Sequence, residues 1–138
     1  MAAVRPVFVA VLAAVTLAGC GPGSGPPTPT SPGARLYANN CLACHQAHGE
    51  GIPGVQPPLA GTPVPLGDPR ELLGWVLFGE RPATLPRGGY AGVMPQFSYL
   101  SDDDLATLLT YVRASFGNAA APITPAMVAD ARAAHRAR

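Results

Sequence analysis

Two stretches of the chain repeat apolar residues at the spacing of a helix face. They are residues 68–79, with Leu72, Leu73, Val76 and Leu77, and residues 101–116, with Leu105, Leu108, Leu109 and Val112. Positions three and four apart lie on the same side of an α-helix, so both stretches predict amphipathic helices packed on one core. A shorter helix is predicted over residues 34–44, with Leu36 and Tyr37 on its inward face.

The two longer helices carry start and stop signals. Asp68 predicts an N-cap, Pro69 suits the first helical position, and Glu71 completes a capping box. Ser101 predicts the N-cap of the later helix, and Gly117 is placed to end it. The boundaries of both helices are therefore predicted from local chemistry alone.

Composition and charge narrow the class of protein. The 138 residues suit one domain, which excludes a multidomain enzyme, and 16 Gly and 17 Pro predict long loops. The formal net charge of +1 is not that of a nucleic-acid-binding protein. Residues 31–118 hold seven acidic residues and five Arg, a net charge of −2, whereas residues 119–138 form a mildly basic tail without an assigned role.

The first 33 residues do not read as part of a fold. Residues 1–19 place Arg5 before an apolar run that is shorter than the roughly 20 residues needed to span a bilayer, as in a signal peptide. The run ends at Cys20 in a pattern that resembles the bacterial lipoprotein cleavage box, which implies lipidation of Cys20. An uncleaved anchor or a plain signal peptide stays an alternative. Residues 20–33, rich in Pro and Gly, then predict a solvated tether.

The central motif is Cys41-x-x-Cys44-His45, the pattern of covalent haem c attachment. On a helix, residues three apart share one face, so both thiols can reach the two haem vinyl groups while the adjacent His ligates the iron. A thioredoxin-like pair would need a βαβ pattern, and a zinc site would need a second Cys/His pair, which His48 and His135 do not complete. The motif also argues against a disulfide between the two cysteines.

The second axial position has a candidate in Met94. This residue precedes Pro95, which favours extended backbone, and it lies in a Gly-rich loop that can approach a flat cofactor. Met127, in the Ala-rich tail, is the weaker candidate. The carbonyls of Pro57 and Pro58 are candidate acceptors for the second ring N–H of the haem-binding His. A thioether ligand raises the reduction potential, and six-coordinate iron has no open position, which favours electron transfer over catalysis.

The ordered set of motifs resembles the class I monohaem cytochromes c over about residues 33–118. The matching residues are Gly33, Tyr37, Cys41, Cys44, His45, the Pro57–Gly61 segment, Met94, Leu108 and Tyr111. The resemblance implies an all-α fold with three core helices and long loops around one haem c, in a domain of residues 34–118. It also implies that the Pro57 carbonyl accepts from the haem His and that Leu59 packs on the haem. Trp75 either binds a haem propionate or packs.

The resemblance favours a bacterial periplasmic branch that includes cytochrome domains of oxidases and dehydrogenases. We expect a one-electron Fe(III)/Fe(II) carrier, not itself an enzyme, tethered on the outer side of the cytoplasmic membrane. Its partners are then a redox protein donor and acceptor, with no small-molecule substrate and no nucleic acid. The alternatives are a cytochrome c subunit of a respiratory oxidase or periplasmic dehydrogenase, and a haem enzyme or gas sensor if Met94 is displaced. Because a core of this size is marginal, the form without haem is expected to be poorly folded.

Overall fold

The computed structural model describes residues 29–85 and 88–138, so the leader and Cys20 lie outside the described residues. Within them, the helices are α1 (Pro32–Asn40), α2 (Leu42–His45), α3 (Pro63–Leu66), α4 (Pro69–Phe78), α5 (Asp102–Ala114) and α6 (Pro125–Arg136). No strand occurs in these residues, and an isolated bridge joins Ile52 and Gln56. The predicted all-α fold is therefore confirmed. None of the described helices is long and apolar enough to cross a bilayer.

The single helix predicted over residues 34–44 is divided at Cys41. The Cys41 backbone (φ −121°, ψ −31°) leaves the helical region between α1 and α2. Helix α1 also begins earlier than predicted, at Pro32, because the Ser31 hydroxyl accepts a hydrogen bond from the Ala34 amide at 3.1 Å. The attachment motif thus lies on a short helix of its own, which begins directly after Cys41.

Helix α4 follows its predicted bounds, but its cap differs in detail. The Asp68 carboxylate accepts from the Arg70 amide at 2.8 Å, and Gly79 ends the helix with a left-handed φ of 73°. The predicted capping box is not formed, because the Glu71 carboxylate accepts instead from the Thr84 hydroxyl at 3.4 Å. The predicted apolar face of α4 is buried in the core.

Helix α5 starts as predicted and ends two residues early. The Ser101 hydroxyl accepts from the Asp104 amide at 3.1 Å, and the helix stops at Ala114. Phe116 then adopts a left-handed φ of 61°, so the first left-handed residue after the helix is this aromatic and not Gly117. Its ring lies 5.1 Å from the ring of Tyr37, and this contact accounts for the unusual backbone.

The core is built where α1 crosses α5. A Cβ atom at Gly33 would lie 2.6 Å from Cβ of Tyr111, so the two helices touch backbone to side chain at this point. The rings of Tyr37 and Tyr111 meet at 5.6 Å, and Leu105 and Leu108 are buried beside them. The structure therefore brings together the residues of the first and later helices that the resemblance paired.

Residues 125–136, part of the mildly basic tail without an assigned role, fold onto the domain as α6. The Thr124 hydroxyl caps the helix by accepting from the Met127 amide at 3.3 Å. Val128 is completely buried, and α6 packs against both α4 and α5. The last helix is thus part of the same core as the others.

Candidate functional site

A cavity of about 500 Å³ opens between α2, α3, α4, α5 and two loops. His45 and Met94 both line it, and its walls are mainly apolar. The aliphatic residues of the walls are Leu59, Val64, Leu72, Val76, Leu85, Val93, Leu108, Leu109 and Val112. A cavity of this volume and polarity is typical of a cofactor site.

The orientation of His45 is fixed by its second ring nitrogen. The side chain is buried, and Nδ1 lies 2.9 Å from the carbonyl oxygen of Pro57. A carbonyl only accepts, so Nδ1 carries the proton and Nε2 keeps the lone pair that a metal needs. Burial lowers the pKa of His45, against a smaller opposite effect of the Pro57 hydrogen bond. The neutral, metal-binding form of the imidazole is therefore favoured.

Tyr37 and Gly51 fix the surroundings of His45 and of its acceptor from outside the cavity. The Tyr37 hydroxyl donates to the Gln46 carbonyl at 2.6 Å, which joins α1 to the end of α2. Gly51 (φ 69°) lies directly under the acceptor, since a Cβ there would be 2.6 Å from the Pro57 oxygen. Sequence reasoning missed the role of Gly51, whose only signal is a glycine six residues before Pro57.

The two motif cysteines occupy different positions. Cys41 lines the cavity, whereas Cys44 is half-buried beside it, and both thiols are free. Burial, with a smaller contribution from Cys44, raises the pKa of the Cys41 thiol to about 12. In the described parts of the chain, no three His, Cys, Asp or Glu side chains gather as metal ligands.

Met94 reaches the cavity from a loop tied to the loop that precedes Pro57. The amides of Ala91 and Gly92 donate to the carbonyls of Gly54 and Val55 at 3.1 and 2.8 Å. A Cβ on Gly92 would collide with the buried side chain of Gln56, so only glycine fits there. Gly92 belongs to the Gly-rich loop that was expected to approach a flat cofactor, whereas its close contact is with Gln56. Gln56 was not identified from the sequence, because the contact joins segments far apart in the chain.

Of the other residues singled out in the sequence, some line the cavity of His45 and others lie outside it. Pro57, Leu59 and Trp75 line it. Met127 instead lines a separate cleft between α4 and α6. His48 is exposed, and His135 stacks on Phe78 at 3.8 Å. Met94 is thus the methionine that the described structure brings to the cavity of His45.

The donor set fits a haem iron. An imidazole with its proton committed to a carbonyl and a soft thioether line one apolar cavity, and two thiols lie in the turn that carries the imidazole. Imidazole and thioether together are axial ligands of cytochromes, and thiols next to the imidazole allow covalent attachment. Fold and cavity together define a haem-binding electron-transfer domain.

The comparisons with known proteins agree with this class. The cytochrome c family model matches residues 30–115, so the chain belongs to the cytochrome c family. It is therefore an electron-transfer protein whose cofactor is haem c, attached through the cysteines of the motif. The matched region ends before α6 begins.

Individual relatives fall into two groups. Cytochrome c-552 of Thermus thermophilus is 37% identical over 92 residues, which cover 63% of this chain and 70% of that protein. The cytochrome c subunit of the quinone alcohol dehydrogenase of Gluconobacter oxydans is 38% identical over 88 residues, 62% of this chain and 18% of that subunit. The fructose dehydrogenase cytochrome subunit of Gluconobacter japonicus is 34% identical over 114 residues, 77% of this chain and 23% of that subunit. The chain thus spans under a quarter of the length of these two dehydrogenase subunits.

Proposed function

We propose that this cytochrome is a one-electron carrier, not an enzyme, in which His45 and Met94 are the axial ligands and Cys41 and Cys44 form the thioether links. The observation that carries the proposal is the placement of His45 and Met94 on one apolar cavity, with Nδ1 of His45 committed to Pro57. Both axial positions are then filled by protein groups. The iron has no open position for a substrate.

Haem c, when bound, supplies an iron that alternates between Fe(III) and Fe(II). The chain sets the conditions for that exchange. Pro57 holds the His45 ring in one tautomer, and the aliphatic walls, including Leu59, keep water from the cavity. A water-poor site disfavours extra positive charge, and a thioether favours the softer reduced metal, so both features raise the reduction potential.

The ligand assignment is tested with two methionine variants. In the oxidised holoprotein, bonding of methionine sulfur to iron gives a near-infrared absorption band. Met94→Ala is expected to abolish the band and to open the iron to carbon monoxide in the reduced state. Met127→Ala, the matched control in the α4–α6 cleft, is expected to keep it. A band that survives Met94→Ala contradicts the assignment, because another methionine must then ligate the iron. Absence of the band in the unaltered oxidised protein would favour a haem enzyme or gas sensor.

We further propose that the domain is exported and tethered to the outer face of the cytoplasmic membrane by a lipid on Cys20. The support is the short apolar run of residues 7–18, the small residues before Cys20 and the Pro/Gly-rich stretch of residues 21–33. Cys20→Ser is expected to move the haem protein from the membrane to the soluble fraction, with its haem spectrum unchanged. Equal membrane retention of both proteins would refute the lipid anchor.

The partners are proposed to be redox proteins. The names of the relatives favour a second form of this function, in which the domain receives electrons within a dehydrogenase complex. Residues 31–118 have a net charge of −2, which suits docking to a basic patch. Co-purification of a dehydrogenase with the tagged cytochrome at low salt favours the subunit form. Recovery of the cytochrome alone, with reduction by an added donor whose rate falls with salt, favours the free carrier.

A further inference from the structure

Helix α6 is joined to the chain that follows Met94 through one side chain, Arg132. Its Nε donates to the Asp102 carboxylate at 2.8 Å, and its two terminal nitrogens donate to the carbonyls of Ser98 and Leu100 at 2.9 and 2.6 Å. The side chain is 19% exposed. Because a guanidinium is planar and its donors are fixed, this single group sets the positions of three acceptors on one turn.

The turn held by Arg132 is continuous with the segment that carries Met94. Residues 94–102 are called here the distal segment. Its middle is tied to α4, because the Phe97 amide donates to the Val76 carbonyl at 2.9 Å and the Gln96 side chain donates to the Phe78 carbonyl at 3.0 Å. Its end is the turn that Arg132 binds. Between Phe97 and that end, the Leu100 amide makes a turn hydrogen bond to the Phe97 carbonyl at 3.2 Å.

The far end of α6 supports the other anchor of the distal segment. The His135 ring stacks on Phe78 at 3.8 Å with an interplanar angle of 6°. Its Nδ1 lies 3.1 Å from the Glu80 carboxylate, to which Arg138 also donates at 2.6 Å. The Phe78 carbonyl therefore accepts a hydrogen bond from Gln96, and the Phe78 ring packs on His135 of α6. One helix thus contacts both the turn at the end of the distal segment and the α4 terminus that binds its middle.

We propose that α6 restrains the distal segment and that Arg132 is a positioning residue for Met94, a role that rests on the proposed ligation by Met94. Arg132 does not touch the cavity. It acts by keeping the turn at residues 98–102 closed, which limits how far the backbone of Met94 can move from the cavity. When the turn opens, the thioether leaves its position more often.

This role differs from a contribution to overall stability. The core contacts of α5 are made by Leu105, Leu108 and Leu109, which lie beyond the turn and do not depend on Arg132. Ser98 is exposed, so water can replace the guanidinium at its carbonyl without unfolding the domain. Loss of Arg132 is therefore expected to raise local opening more than global unfolding.

The test compares Arg132→Gln with Arg136→Gln in the holoprotein. Arg136 lies one turn further along α6, is exposed, and makes no side-chain hydrogen bond or ion pair within residues 29–85 and 88–138, so it is a matched control. The measured quantity is the affinity of the oxidised protein for added imidazole, which binds iron as the methionine sulfur leaves. Arg132→Gln is expected to raise this affinity about tenfold, because its charge-assisted hydrogen bonds are lost. Arg136→Gln leaves the affinity unchanged, and Arg132→Lys falls between the two.

Hydrogen exchange gives a second readout that does not depend on the iron ligand. The amides of Phe97 and Leu100 are expected to exchange about tenfold faster in Arg132→Gln than in Arg136→Gln, while amides in the middle of α5 stay unchanged. Unchanged imidazole affinity and unchanged exchange at Phe97, even with a lower melting temperature, would overturn the proposal. If the unaltered protein lacks the methionine–iron band, the ligation by Met94 fails; faster exchange at Phe97 would still support restraint of the segment by Arg132, and unchanged exchange would refute it.

Discussion

Nδ1 of His45 lies 2.9 Å from the carbonyl oxygen of Pro57, and the space beneath that carbonyl is available only because residue 51 is glycine. The Gly51 amide also donates to the His45 carbonyl at 3.1 Å, so this glycine contacts the backbone of His45 and leaves room for its acceptor. This relationship leads to a direct prediction on the glycine.

Gly51→Ala is expected to destabilise the holoprotein by about 2–4 kcal/mol, because it adds collisions with the carbonyl oxygens of Gln56 and Pro57 to the cost of a left-handed alanine. The matched control is Gly54→Ala. Gly54 has a similar φ of 71°, but nothing lies within 4 Å of the added Cβ. The control is therefore expected to lose only about 1–2 kcal/mol. Denaturant unfolding followed by haem absorbance measures both, and equal losses would contradict the role assigned to the Pro57 carbonyl.

A second pair of glycines tests the contact between α1 and α5. Gly33→Ala places a Cβ 2.6 Å from Cβ of Tyr111 and 3.0 Å from the Thr107 carbonyl, so the helices must separate, at a cost of about 1–3 kcal/mol. In Gly74→Ala, also within a helix, the new Cβ comes within 2.9 Å of the Glu80 carboxylate oxygen and lies at ordinary contact distance, 3.5 Å, from Glu80 Cβ. The Glu80 side chain can shift by a few tenths of an ångström, whereas the backbone and Cβ atoms around Gly33 cannot. In Gly74→Ala the gain in helix propensity, about 1 kcal/mol, offsets the adjustment. Thermal melting that ranks Gly74→Ala below Gly33→Ala would disprove this account of the crossing.

Local signals were sufficient for α4 and α5, where an apolar stripe and an N-cap occur together. They were not sufficient for α6, whose Ala/Arg-rich sequence gives it one fully buried residue, Val128. The helix exists because α4 and α5 provide a surface for that residue, and this surface is not visible in the local pattern. The break between α1 and α2 at Cys41 was also missed, because no glycine or proline in the sequence marks it.

The residues of the site also divide into those that could be predicted from the sequence and those that could not. Cys41, Cys44, His45 and Met94 could be named because their chemistry is unusual for their surroundings in the sequence. Gln56 could not, because its importance comes from a contact between two loops, and the same contact explains why residue 92 is glycine. Pro57 lies between these cases: the residues alone left Pro57 and Pro58 as candidate acceptors, the resemblance implied Pro57, and the loop geometry places the Pro57 carbonyl on His45.

Arg113 is a buried cation that neither motif nor pattern identified. Its guanidinium donates to the carbonyls of Pro65 and Ala121 at 2.6 Å each and to that of Gly67 at 3.2 Å. Desolvation lowers its pKa, but the group stays protonated at any pH at which the protein folds. Its three acceptors tie α3 and the segment before α6 to α5.

Arg113→Met is expected to lower the free energy of unfolding by about 2–3 kcal/mol, because it removes the donors from the buried Pro65 carbonyl and from two part-buried carbonyls. Arg70→Met is the control. The Arg70 side chain is 91% exposed, and its nearest carboxylate oxygen, on Asp68, is 3.9 Å away, so its loss should change stability by less than about 0.5 kcal/mol. Denaturant titration measures both changes. A similar small loss in the two variants would mean that the carbonyls around Arg113 are satisfied by water.

Without haem, the cavity of about 500 Å³ between His45 and Met94 has no apolar filling, and the surrounding core is too small to compensate. The Cys41→Ser/Cys44→Ser variant removes both attachment points while changing little volume. It is expected to show reduced helicity by circular dichroism and to melt without a cooperative transition. Cys20→Ser removes a thiol outside the domain, so as a control it should keep the spectrum and the melting of the parent. Native helicity with a sharp transition in the double variant would show that the helices hold the cavity open unaided, and the fold would then not depend on its cofactor.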